Sequence, residues 1–318
     1  MRVFRPGLLA VSTLIPLSLL AVLGFLTVYS WPAIQFNGVH FLTTETWSLG
    51  NLYSNPVHRN GFEVPIGATY GIWVFIVGTL ASSAIALLLA VPVGIGVALF
   101  LNDYAPHQLR GAFTQVVELL AMVPSVVYGL WGLEILAPLV LTHIAPFLQH
   151  ALGFLPFFST AATSGYGLLT AGLVLALMVL PVITSTLAEA LKRVPNELRE
   201  SSFALGATRA EVLLKILLPA VRVPLIGAVI LALGRALGET MAVLMVSGGA
   251  LNYLPDTLYS PITSMAAFIA SQLDSALQDP SGMAVRSLAE IALVLLLIAV
   301  IVNVIARLLT SRIRIHRV

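Results

Sequence analysis

The sequence predicts an all-α, polytopic membrane protein with six transmembrane helices and both termini in the cytoplasm. Three observations carry that expectation. Hydrophobic residues make up 58% of the 318-residue chain and charged residues only 9%, where a soluble domain carries about 25% charged residues. With a mean hydropathy of +0.99, such a surface has lipid as its solvent. Six apolar runs are long enough to cross a bilayer core. Finally, all but three of the 16 Lys and Arg residues fall on one side of the resulting path. Arg59 and Arg286 lie outside and Arg235 lies within a span, so the positive-inside rule places both basic termini inside.

Taken in order, the spans are residues 8–29, 70–101, 113–141, 166–187, 223–246 and 287–308. Pro92, Pro124, Pro138 and Pro181 fall inside them, which neighbouring helices tolerate by re-satisfying freed backbone groups. The first run follows a basic segment, yet Val28, Tyr29, Ser30 and Trp31 give poor cleavage context, so it reads as an uncleaved anchor. Trp31 and Trp47 suit an outer aromatic belt and loop. The outer loops, 30–69, 142–165 and 247–286, are polar, and the first and third have room for short interfacial helices. The division expected is an anchor and outer loop over 1–69, a transmembrane domain over 70–308 with a cytoplasmic loop at 189–222, and a basic tail over 309–318.

Several chemistries are excluded. The chain has no cysteine, which removes disulfides, thiol nucleophiles and Cys-type zinc sites. A net charge of +2 is not the basic excess of a nucleic-acid binder. Lys192 and Lys215 are the only lysines and neither follows a glycine, so there is no P-loop and any ATPase is a separate polypeptide. His40, His58, His107, His143, His150 and His316 fall in loops or the tail on this reading. They form no metal-ligand motif, and neither metal nor cofactor is expected. Ser164 lies in Ala162-Thr163-Ser164-Gly165, which lacks the first glycine of a G-x-S-G site and makes a poor intramembrane protease nucleophile.

The loop 189–222 is strongly patterned. Pro195 suits a first helical turn, and Glu197 and Glu200 complement the dipole of that helix. Gly206 stands where a left-handed cap is due, Thr208 and Glu211 form a capping box, and Pro219 ends the second helix. The outcome is helix, glycine bend, helix. Glu200, Ser201, Ser202, Gly206, Ile216, Leu218 and Pro219 also match the spacing E-A-A-x3-G-x9-I-x-L-P. This resembles the coupling-loop signature of bacterial ABC importer permeases, with Ser201 and Ser202 in place of two alanines. The resemblance implies a type I ABC importer permease fold. It also implies that the first short helix docks on an ATPase subunit, with small residues at 201 and 202 permitting close approach.

Arg235 lies deep in the fifth span, where a charge costs roughly 2.5–3.5 kcal/mol on insertion scales. Glu239 follows four residues later, on the same face if the helix continues. Two readings stand: a buried structural ion pair, or a guanidinium lining an anion path with Glu239 holding or releasing it. Ser125 and Tyr128, beside Pro124, read either as donors to an oxygen of an anion in that path or as part of a packing kink. Glu118 and Glu134 read as pore-lining or as snorkelling from the span ends, and Glu290 as a rim ion pair with Arg286.

The stretches at 119–132 (LLAMVPSVVYGLWG) and 234–243 (GRALGETMAV) closely resemble the C-type permease of the bacterial phosphate-specific ABC importer, and the likeness runs from about the first span to the sixth. It implies that Arg235 and Glu239 matter for phosphate translocation. It further implies an A-type permease partner forming a heterodimer, an ATPase dimer and a periplasmic phosphate-binding protein, all at the bacterial inner membrane. The alternatives are a permease of this class for another oxyanion (sulfate, molybdate or a phosphonate) and an uncoupled channel or scaffold, against which the 189–222 loop argues.

Overall fold

The computed structural model describes residues 4–315, with side chains from 12 to 308. Arg2, His316 and Arg317 lie outside the described residues, as do the side chains of Arg5, Arg312 and Arg314. Eleven helices of six residues or more organise the described residues: α1 (Phe4–Asn37), α2 (Trp73–Leu99), α3 (His107–Met122), α4 (Ser125–Leu152), α5 (Leu168–Lys192), α6 (Asn196–Ala204), α7 (Arg209–Ala220), α8 (Arg222–Leu237), α9 (Met241–Val246), α10 (Met265–Ala276) and α11 (Met283–Ile315). Among the described residues, five are long and apolar enough to cross a membrane, and a sixth span arises if α7 and α8, bent by 70°, count as one.

Two expected spans are interrupted. The residue before a proline is pushed out of the helical region, and Val123 accordingly takes ψ 128° ahead of Pro124. The expected span 113–141 is therefore not one helix. The long apolar helix is α4, which runs to Leu152 and takes up half of the expected loop at 142–165. His143 and His150 lie in this helix, His107 opens α3, His40 opens a short helix at His40–Thr43 and His58 lies in a strand, so none of the five described histidines is in a loop as expected. The fifth span is broken again at 238–240.

Other prolines are absorbed by a regular device. Wide i→i+5 turns run from Ala105 N–H to Phe100 O, Ala137 to Gly132 O, Ala145 to Val140 O and Leu218 to Leu213 O. Each donor is the residue immediately before a proline: 106, 138, 146 or 219. A proline has no N–H and its ring clashes with the carbonyl four residues back. Widening the preceding turn carries α4 past Pro138 and Pro146 without stopping it.

By contacts the chain forms two compact units: residues up to Val74 with Phe268–Ile298, and Phe75–Ala267 with the residues from Ala299 on. In the first, four short strands replace much of the expected loop: β1 (Trp47–Ser48) pairs with β4 (Thr69–Tyr70), and β2 (Val57–Arg59) pairs with β3 (Phe62–Val64). Asn60 and Gly61 have φ 52° and 82°, as a two-residue hairpin turn requires. Phe36 stacks edge-on against Phe62 and Tyr70, and Trp47 against Tyr70 and Phe268. Burial and the nearby Asp279 carboxylate push the Tyr70 phenol well above its ordinary pKa. The expected rim pair of Glu290 with Arg286 does not form. Asn37 instead donates to Glu290 at 2.9 Å.

In the second unit α5 is the central helix, with 72% of its apolar window buried. Small residues set the packing, as they do between membrane helices. A side chain at Gly172 would meet Ile85 of α2, and one at Gly94 of α2 would meet Ile183 of α5. On α8, which packs against α5, Ala228, Ala232 and Ala236 form a buried stripe at four-residue spacing.

Candidate functional site

Two places in the second unit hold the residues singled out by sequence. At the first, the two helix interruptions come together. A Cβ at Gly129 of α4 would sit 2.8 Å from the Met245 sulfur and 3.0 Å from the Ala242 Cα. One at Gly132 would sit 2.9 Å from Val246. The glycines let α9 lie directly on α4, setting the break at 238–240 near the break at Pro124.

Arg235 and Glu239 stand on opposite sides of their break. Helix α8 ends at Leu237, and Gly238 (φ −91°, ψ 0°) turns the chain. The Glu239 carboxylate then accepts from the Ala242 N–H at 3.3 Å, inside the first turn of α9. Among the described residues no ion pair or hydrogen bond engages the Arg235 guanidinium, which is exposed. The expected four-residue pairing on one face is thus not formed, because the helix that would align the two side chains stops between them. In the sequence, Gly234 and Gly238 are the only signal that the helix ends here.

Tyr128 is 8% exposed and within electrostatic reach of Arg235. Its hydroxyl donates to Leu120 O at 2.8 Å, across the gap between α3 and α4. That proton is committed to stitching the break, so Tyr128 offers an incoming anion no free donor here. Ser125 is half-buried in the first turn of α4. Glu134 is exposed ten residues into α4, at roughly 15 Å along its axis at 1.5 Å per residue. That places it inside the span rather than near its end. Glu118 is exposed four residues before the end of α3.

The second place is the bent loop. Pro195 precedes α6, and Gly206 takes φ +85°. Ala207 N–H donates to Ser202 O at 3.1 Å and Gly206 N–H to Phe203 O at 2.9 Å, the paired bonds of a Schellman cap. Thr208 and Glu211 complete the capping box: Thr208 N–H donates to Glu211 at 3.1 Å and Glu211 N–H to the Thr208 hydroxyl at 3.4 Å. The Thr208 backbone bond and then Lys215 hold the Glu211 carboxyl down to about 2. With its pKa lowered on folding, the stabilisation is complete above the ordinary value of 4.5 and is lost only as pH falls through about 2.

Glu200, Ser201 and Pro219 are exposed, and Ile216 and Leu218 are half-buried. Ser202 is buried and donates to Leu198 O, so its small size serves the inside of the bend. Leu217, between the two apolar positions of the motif, is fully buried with Leu187, Leu191, Val212 and Ala98. Leu205 at the tip is 89% exposed. Sequence reasoning missed one further contact, the ion pair between Arg199 of α6 and Asp103 in the wide turn Phe100–Tyr104 that ends α2. The two residues are 96 positions apart, and no local pattern joins them. Among the described residues no group of three His, Cys, Asp or Glu side chains is arranged to hold a metal.

Comparison with known proteins extends this geometry. Residues 90–315 match the family described as "Binding-protein-dependent transport system inner membrane component". A Mycobacterium bovis protein named phosphate transport system permease protein PstC 1 is 46% identical over 88% of this chain and 84% of its own length. The Pasteurella multocida PstC is 41% identical over 93% and 87%. A probable PstC of Methanocaldococcus jannaschii is 36% identical over 93% and 89%. Among solved structures, a bacterial alginate ABC transporter in complex with its periplasmic protein aligns with TM-score 0.59 at 17% identity, over 97% of this chain and 96% of the other. The inward-facing MetNI methionine transporter aligns with TM-score 0.51 at 17% identity, over 76% and 96%. These two share the fold.

Proposed function

The chain belongs to the family of binding-protein-dependent transport system inner membrane components, and from that premise we propose that it is the permease subunit that carries inorganic phosphate through an ATP-driven importer. The observation that carries this reading is identity of 36–46% over most of the chain to relatives named as phosphate permeases.

The geometry supports a division of labour. Arg235, left unengaged at the meeting of two broken helices, presents a planar fork of donors suited to an oxyanion. Glu239 is occupied in capping α9 and does not neutralise it. Non-helical backbone at membrane depth belongs where it lines protein or water. The two breaks accordingly mark the path, with Ser125 at its edge and Tyr128 holding one break in shape. The bend at 195–219 is the contact for a separate ATPase subunit, with Glu200, Ser201 and Leu205 facing outward to meet it. Gly206 and the two caps fix the angle between α6 and α7, so a push on α6 arrives at α8 and its break. A homologous A-type permease completes the path, a periplasmic phosphate-binding protein delivers substrate, and the complex sits in the cytoplasmic membrane with both termini inside.

The test is uptake of labelled phosphate into proteoliposomes containing the complete complex, with sulfate and arsenate as competitors. Phosphate uptake that arsenate suppresses and sulfate leaves alone is the expected result. Uptake of sulfate in preference to phosphate overturns the substrate assignment.

A further inference from the structure

The bend is joined by the chain itself only to α5 and α8. We infer that the Asp103–Arg199 ion pair is a second mechanical link, making α2 move with α6 as one body and delivering the ATPase stroke to a helix that lies 92 residues earlier in sequence at its nearest end (Tyr104 to Asn196). This rests on the reading of the bend as the ATPase contact.

Four observations support the link. The side chains of Arg199 and Asp103 are only 21% and 15% exposed, so solvent and salt screen them little. Asn102, itself 9% exposed, donates to the other Asp103 oxygen at 3.1 Å and fixes the orientation of the carboxylate. Asp103 sits in the wide turn closed by Ala105 N–H on Phe100 O, which offsets the end of α2 from its straight course. Finally, Phe203 and Arg209, on the two arms of the bend, line a cavity of about 180 Å³ together with Asp103, Arg199 and Leu213.

A partly buried ion pair of this kind holds two helices in one register, because taking away either partner leaves the other charge uncompensated. The buried cluster that Ala98 shares with Leu187, Leu191 and Leu217 keeps α2 near the bend but does not fix its angle. The link therefore transmits rotation where oily packing alone permits slip. Arg199 and Asp103 are positioning residues that act through the helices they join.

The experiment measures phosphate taken up per ATP hydrolysed in the reconstituted complete complex, with copurification of the ATPase as the assembly control. Asp103→Asn keeps the shape and removes the charge. It is expected to lower the uptake-to-hydrolysis ratio about tenfold or more while hydrolysis and assembly persist. Arg199→Lys keeps the charge and is expected to retain most of the ratio, which provides a reading should Asp103→Asn assemble poorly. Exchanging the two residues, Asp103→Arg with Arg199→Asp, is expected to restore coupling over either reversal alone. A wild-type ratio in Asp103→Asn, a ratio in Arg199→Lys as low as in Arg199→Gln, or an exchange no better than its single changes overturns the link. Glu200→Lys separates the two ideas. If it uncouples while Asp103→Asn does not, the link alone fails. If it too leaves the ratio unchanged, the reading of the bend has failed.

Discussion

The bend at 195–219 and the break at 238–240 are both interruptions between helices, yet they are built in opposite ways. In the bend, the polar groups that set its shape are engaged. A Schellman pair closes α6, a reciprocal box opens α7, and Arg199 is tied to Asp103. At the break, the Glu239 carboxylate accepts from Ala242 N–H and the Thr240 hydroxyl donates to Gly238 O, while the Arg235 guanidinium is left exposed. A segment whose hydrogen bonds are closed on themselves holds an angle and passes on force. A segment that leaves a guanidinium unengaged keeps its donors open, which is what the proposed anion path requires of Arg235.

That contrast is best attacked where the expected effect is largest. Arg235→Gln should lower phosphate uptake by two orders of magnitude or more, a loss of about 2.7 kcal/mol or more of transition-state stabilisation. Because Arg235 is exposed and, among the described residues, no hydrogen bond or ion pair engages it, yield and thermal midpoint should stay near wild type. A marked fall in midpoint, with transport per folded molecule unchanged, would move Arg235 to the structural side. Gly129→Leu should do the reverse. Its side chain must displace Met245 and the Ala242 backbone, at about 1–3 kcal/mol of overpacking, so folded yield in detergent should drop before any specific transport effect is measured.

In the bend the effects should be smaller and of another kind. No heavy atom lies within 4 Å of a Cβ built at Gly206, so Gly206→Ala creates no clash inside the chain. Its cost is the left-handed backbone, roughly 1–2 kcal/mol, read as a lower midpoint and a lower ratio of uptake to hydrolysis. Thr208→Ala removes one cap, about 1 kcal/mol, and should shift the midpoint slightly with uptake nearly intact. If Thr208→Ala impaired transport more than Gly206→Ala, the bend would be acting through that hydroxyl and not through its shape.

The two regions also differ in how far sequence foretold them. Pro195, Gly206, Thr208 and Glu211 act on neighbours within a few residues, so caps and turn are read directly from spacing, and the structure has them all. The broken spans were only partly visible. Pro124 announced one break, but the end of α8 at Leu237 had only two glycines as a sign, and glycine in a membrane helix signals close packing as often as termination. The alignment of Arg235 with Glu239 was inferred from a helix assumed to continue, and it fell with that assumption. The Asp103–Arg199 pair lay beyond reach for a different reason. It depends on two distant segments arriving side by side, and one sequence carries no trace of such a meeting.

The wide turns ahead of Pro106, Pro138, Pro146 and Pro219 carry a consequence for how this chain can change. Each proline is matched to one surplus residue in the turn before it, and the two form a unit of inheritance. Removing the surplus residue before Pro138 would spin everything downstream in α4 by about 100°, swinging the inward-facing Val140 and Ala145 toward lipid. Replacing the proline alone would leave a slack coil with nothing to accommodate. Insertions and deletions in these helices should therefore come and go together with their prolines.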